Sequence, residues 1–110
     1  MLNGKTYSHD LIQEKALQFI RDNEKKSFFA YLPLTIPHAA MQCPEDDVAP
    51  FRKKFPQFEN KIGKYSHGSI IRNPIAAFAG MMTRMDRGIG QILDLLNAVS
   101  YTHLTLPTKA

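Results

Sequence analysis

The stretch Ser27-Phe28-Phe29-Ala30-Tyr31-Leu32-Pro33-Leu34-Thr35-Ile36-Pro37-His38 decides how the chain is read. Its first half is a nearly unbroken apolar run rich in aromatics, the pattern of a strand buried on both faces in a parallel sheet. Pro33 and Pro37 end regular pairing and stiffen the exit. His38 then falls just past the carboxyl end of the strand, the edge at which open α/β sheets bind ligands. Taken alone, a histidine there reads as a loop residue that hydrogen-bonds locally.

Upstream, Ser8 stands where it caps a helix, and Asp10 suits the positive end of that helix. Ile12, Ala16, Phe19 and Ile20 recur at helical spacing with Leu11 beside them, and Asn23 marks a stop. His9 is expected to be a solvent-exposed residue at the helix start, since it has no companion at metal-ligand spacing. A doubly buried strand needs neighbours for its N–H and C=O groups. No other run before Val99 supplies them, so the remaining strands are expected outside this sequence and the chain reads as a fragment.

Downstream, Pro44, Pro50 and Pro56 break residues 41–68 into short pieces. Phe51, Phe55 and Phe58 stand three or four apart, as on a short helix or coiled segment resting on the body. Lys61, Gly63, Lys64, Ser66 and Gly68 read as an exposed loop, with His67 solvated among them. Glu45-Asp46-Asp47 reads as an acidic surface run, because a hard-cation site needs six or more oxygens converging in space. Cys43 reads as a small packing residue.

Asn73-Pro74 is a helix start, a cap followed by proline at the first helical position. Ile75, Phe78, Met82, Met85, Ile89, Ile92 and Leu96 then step by threes and fours, predicting an amphipathic helix of about six turns. Gly80, Gly88 and Gly90 interrupt it where a neighbouring element comes close. Asp86 reads as structural, holding Arg84 or Arg87 near its own turn.

Composition narrows the classes. The chain has 110 residues, enough for one domain, with 44% hydrophobic and 22% charged residues, as in globular proteins. The net charge is +4, but Lys and Arg are interleaved with acids, which disfavours a nucleic-acid partner. One cysteine excludes an internal disulfide. No leader-like apolar segment follows Met1, and the longest apolar stretch, around residues 75–82, is too short to cross a bilayer.

Two segments carry a family resemblance. Phe28-Phe29-Ala30-Tyr31-Leu32 followed by Pro37-His38-Ala39-Ala40 looks like the "PFFLYL…PHxP" segment of sulfatases. Residues 73–90, with Met81-Met82, Asp86 and Gly90, are similar to the "Y-A-x-M-V-x-x-x-D-x-x-V-G-x-I-L" helix of the same family, in the same order. The resemblance implies a partial catalytic domain over residues 3–97, α/β in class and part of an alkaline-phosphatase-like three-layer sandwich. The elements in this slice would be a helix, a buried strand, an irregular loop and a long amphipathic helix. It implies that His38 contacts the sulfate of a sulfate ester and protonates the leaving oxygen. Imidazole suits that work because its ordinary pKa of about 6.5 lets it hold or release a proton near neutrality. It further implies Ca²⁺ and formylglycine as cofactors of the parent, neither bound by residues of this slice, and a periplasmic or secreted location.

Cys43 departs from the family's C-x-P-S-R motif, since Pro44-Glu45-Asp46 follows it, and is rejected as the formylglycine precursor. No nucleic acid or membrane partner is expected, and oligomeric state is not legible. The competing readings are a phosphodiesterase or other member of the superfamily, and a small basic interaction module without catalysis. Residues 98–110 resemble a translated sequencing adapter and are expected to be a non-native tail, which removes His103 from the candidates.

Overall fold

In a computed structural model, residues 6–64 and 70–100 are described. They form three helices and one two-stranded sheet. His67 and His103 lie outside the described residues, as does most of the stretch read as a tail.

Helix α1 (Ser8–Asp22) begins one residue earlier than expected, with Tyr7 rather than Ser8 at the cap position. Asn23 ends it as predicted. Its N–H reaches the Phe19 and Ile20 carbonyls, and its Nδ2 donates to Phe19 O at 2.8 Å. The buried face of α1 is His9, Gln13, Ala16 and Ile20. The apolar side on Leu11, Ile12 and Phe19 points instead into an open groove bordered by Phe29, Tyr31 and Pro33.

The expected buried strand is not formed. Residues 27–36 lie outside regular secondary structure, and Phe29 and Tyr31 are 87% and 77% exposed. The reason is the one the pattern itself raises: a strand exists only where another strand takes its hydrogen bonds. Among the described residues none does.

The segment expected to be irregular is more ordered than its prolines imply. Helix α2 (Glu45–Lys54) carries three acids in its first turn and three bases in its last, the arrangement that complements a helix dipole. A single 3₁₀ turn (Pro56–Phe58) follows. Strands β1 (Ile62–Lys64) and β2 (Ile70–Arg72) then pair antiparallel, with Ile62 opposite Arg72 and Lys64 opposite Ile70.

Helix α3 (Pro74–Ser100) starts where the sequence predicts. Asn73 Oδ1 accepts from the Ala76 N–H at 3.1 Å. Asn73 takes a positive φ of 54°, which asparagine tolerates better than most residues. Its Nδ2 donates to Phe55 O and Glu59 Oε2, and its N–H to Lys61 O, so every polar group of this buried residue is matched. The face that α3 buries differs from the one expected. Ala76, Ala77, Gly80, Met81 and Gly88 are buried, while Ile75, Phe78, Met82 and Ile89 are exposed. Small residues let α1 and α2 come close; the bulkier stripe is only partly covered by the described residues.

The apolar centre is Tyr7, Ile36 and Met81, with Met41, Cys43 and Met85 against it. A radius of gyration of 16.9 Å exceeds the ~13 Å of a compact domain of this length.

Gly80 and Gly90 give opposite expectations. A Cβ at Gly80 would lie 3.0 Å from Asp47 O and Val48 Cγ2, whereas one at Gly90 meets nothing within 4 Å. Urea denaturation should find Gly80→Ala destabilised by about 1–3 kcal/mol, overpacking outweighing helix propensity. Gly90→Ala should be more stable by about 0.5–1 kcal/mol.

Candidate functional site

His38 is exposed and follows a cis Ile36–Pro37 peptide bond. A turn follows, in which the Met41 N–H donates to His38 O at 2.8 Å. The Ala40 N–H donates to His38 Nδ1 at 3.1 Å. An Nδ1 lone pair used in this way leaves the neutral ring with its proton on Nε2.

The loop that carries His38 is fastened on both sides. Ile36 is buried before it; Met41 and Cys43 pack on the same apolar centre after it. Tyr7 Oη donates to Gln42 O at 2.6 Å across 35 residues of sequence. Burial and the neighbouring Cys43 push the Tyr7 hydroxyl up to about 12, so it keeps its proton and remains a donor.

Tyr7 also lies under a charged cluster. The Arg84 guanidinium sits 5.5 Å from the centre of its ring. Arg84 Nε and Nη2 donate to the two Asp10 carboxylate oxygens at 2.8 and 2.6 Å, and Nη1 donates to Asp47 Oδ2. Arg87 Nη2 donates to Asp47 Oδ1 at 2.6 Å. Burial raises the Asp47 pKa, but the hydrogen bonds and charges of Arg87 and Arg84 outweigh it and hold the carboxyl below its ordinary range.

Two expectations are corrected by this cluster. Asp47 is not part of a solvated acidic run; it is 7% exposed and ion-paired, and Glu45 is bound by Arg52. Arg84 and Arg87 are held by Asp10 and Asp47 from other helices, and Asp86 points away as an exposed residue. Their partners lie 37–74 residues away in sequence, beyond the reach of helical spacing.

His9 is corrected as well. It is 1% exposed, and neither ring nitrogen has a hydrogen-bond partner among the described residues. Burial lowers its pKa; Asp10 partly opposes this and Arg84 adds to it. Cys43 is half-buried, and burial with the nearby Asp47 charge pushes its thiol up to about 11, which agrees with a packing role.

The described residues do not fit the cofactors that the resemblance implies. No group of three or more His, Cys, Asp or Glu converges as a metal site among them. Asp10 and Asp47 are already committed to guanidiniums. No described helix is long and apolar enough to cross a membrane.

Tyr7→Phe removes the bond to Gln42 and should cost about 1 kcal/mol. Amide hydrogen exchange should quicken at residues 41–43 while α2 stays protected. His9 generates a pH prediction. The unfolded imidazole takes up a proton near pH 6.5, the folded one only at lower pH. Stability from His9 is therefore complete above about pH 6.5 and declines as pH falls below it. His9→Phe should flatten that part of a stability–pH profile.

Comparison with known proteins agrees with this reading of the chain. The sulfatase family model matches residues 2–104. An uncharacterized sulfatase of Schizosaccharomyces pombe is 29% identical over 106 residues, which cover 94% of this chain and 17% of that protein. No solved structure matches. The family match spans nearly the whole sequence, including the His38 loop and α3, and the chain belongs to the sulfatase family.

Proposed function

We propose that this chain is a slice of a sulfatase catalytic domain whose parent hydrolyses sulfate esters, and that His38 contacts the sulfate. The observation that carries the reading is the family match over residues 2–104, which includes the Pro37-His38 pair. The geometry adds support. His38 is exposed on a loop fastened by Ile36, Tyr7 and Cys43. A donor held in place ahead of the reaction stabilises negative charge on sulfate oxygens without reorganising.

The nucleophile and the calcium ligands would be supplied by other parts of the parent, in the alkaline-phosphatase-like sandwich that the resemblance implies. The exposed aromatic run of residues 28–32 would find its sheet there.

In the intact parent, His38→Ala should lower turnover of an aryl sulfate by about 10²–10⁴-fold if His38 also handles the proton. A loss near the lower end, with a flat pH profile, fits contact alone. Unchanged turnover removes His38 from the mechanism. The 110-residue chain by itself should release no sulfate from such a substrate; turnover by it would overturn the proposal.

A further inference from the structure

The loop that carries His38 has two legs, and Tyr7 serves both. Ile36, two residues before His38, shares the buried apolar centre with the Tyr7 ring. Gln42, four residues after His38, accepts the Tyr7 O–H through its backbone oxygen at 2.6 Å. Between the legs the chain turns on itself. The Met41 N–H donates to His38 O, and the Ala40 N–H donates to His38 Nδ1. Met41 takes a positive φ of 55°. A residue with a side chain stays there only when its surroundings hold it. The bond from Tyr7 falls on the very next residue.

Tyr7 is itself held. It is 8% exposed, and the Arg84 guanidinium stands 5.5 Å from the centre of its ring. Arg84 is bound in turn by Asp10 and Asp47. The tether therefore starts from a point fixed by all three helices. At this burial Tyr7 does not itself meet a substrate, so any part it has in turnover passes through the loop.

We propose that Tyr7 is a positioning residue for the hydrolysis: its hydroxyl, through Gln42 O, holds the turn that places His38 against the sulfate. This role rests on the contact between His38 and the sulfate proposed above. A group in place before the reaction costs no reorganisation, and a misplacement of about 1 Å costs up to about 10²-fold. Tyr7→Phe keeps the ring, its packing and its place beside Arg84, and removes only the bond to Gln42 O.

The test is a double-mutant cycle on the intact parent, with 4-nitrophenyl sulfate as the probe. It compares kcat/KM for the wild type, Tyr7→Phe, His38→Ala and the pair. Tyr7→Phe should lower kcat/KM about tenfold when His38 is present. Once His38 is replaced, it should change kcat/KM by less than about twofold. A merely structural loss lowers the amount of active enzyme by the same factor in both backgrounds, and the cycle separates the two. If His38→Ala leaves turnover unchanged, the role of His38 falls and that of Tyr7 with it. If His38→Ala lowers turnover while Tyr7→Phe does not, or Tyr7→Phe acts equally in both backgrounds, only the Tyr7 proposal is overturned. NMR of the ¹⁵N-labelled 110-residue chain gives a readout independent of turnover. Tyr7→Phe should move the His38 ring and Ala40 amide signals while those of α2 stay in place. This measurement decides the matter where the probe turns over too slowly to read, and unmoved His38 and Ala40 signals would overturn the proposal.

Discussion

Arg84 joins all three helices. It rises from α3, clasps Asp10 of α1 with two nitrogens and Asp47 of α2 with the third, and covers the Tyr7 ring. An exposed ion pair contributes about 0–1 kcal/mol, but breaking a buried one costs about 3–5 kcal/mol by stranding a charge. Asp47, at 7% exposure, is of the second kind. The cluster acts chiefly by fixing where α1 and α2 sit on α3, since its fork admits few geometries. Cohesion comes from Tyr7, Ile36 and Met81 beneath it. Through Tyr7 the same arrangement extends to the backbone of the His38 loop.

A second network governs the start of α3. Glu59 accepts from Arg52, Arg72 and Asn73, and Asn73 caps the helix. The Asn73 amide and the two guanidiniums hold the Glu59 carboxyl below its ordinary range. The hairpin, the 3₁₀ turn and the start of α3 thus meet on one asparagine. The two networks lie at either end of the α2–α3 contact, where Gly80 admits the α2 backbone. His38 is exposed, yet its loop inherits a rigid base from residues far from it in sequence.

Local signals were legible in the residues themselves. Asn73-Pro74, Asn23 and the run of helical spacing in α3 mark elements that the structure contains, because caps and periodicity act within a few residues. The faces were not legible. Hydropathy identifies the bulkier side of α3, through Phe78, Met82 and Ile89, but the neighbours available to this chain settle on Ala77, Gly80 and Gly88. The aromatic strand failed for a related reason: its pattern presumes partners that are not among the described residues. The Asp10–Arg84–Asp47 cluster left no local signature, and His9 was misplaced because a helix start is usually wet. The His38 loop was found by resemblance; the Tyr7 tether that positions it was not.

The exposed aromatic run has a consequence for how such a chain is handled. An uncharged segment that pairs with no strand among the described residues is a ready template for another polypeptide's strand. Without a covering sheet, Phe29 and Tyr31 leave apolar surface open to such pairing. Glu24, Lys25 and Lys26 stand exposed immediately before that run, the position at which charged gatekeepers discourage cross-strand stacking. Two lysines thus stand where charge opposes such stacking, and neutralising them would favour aggregation.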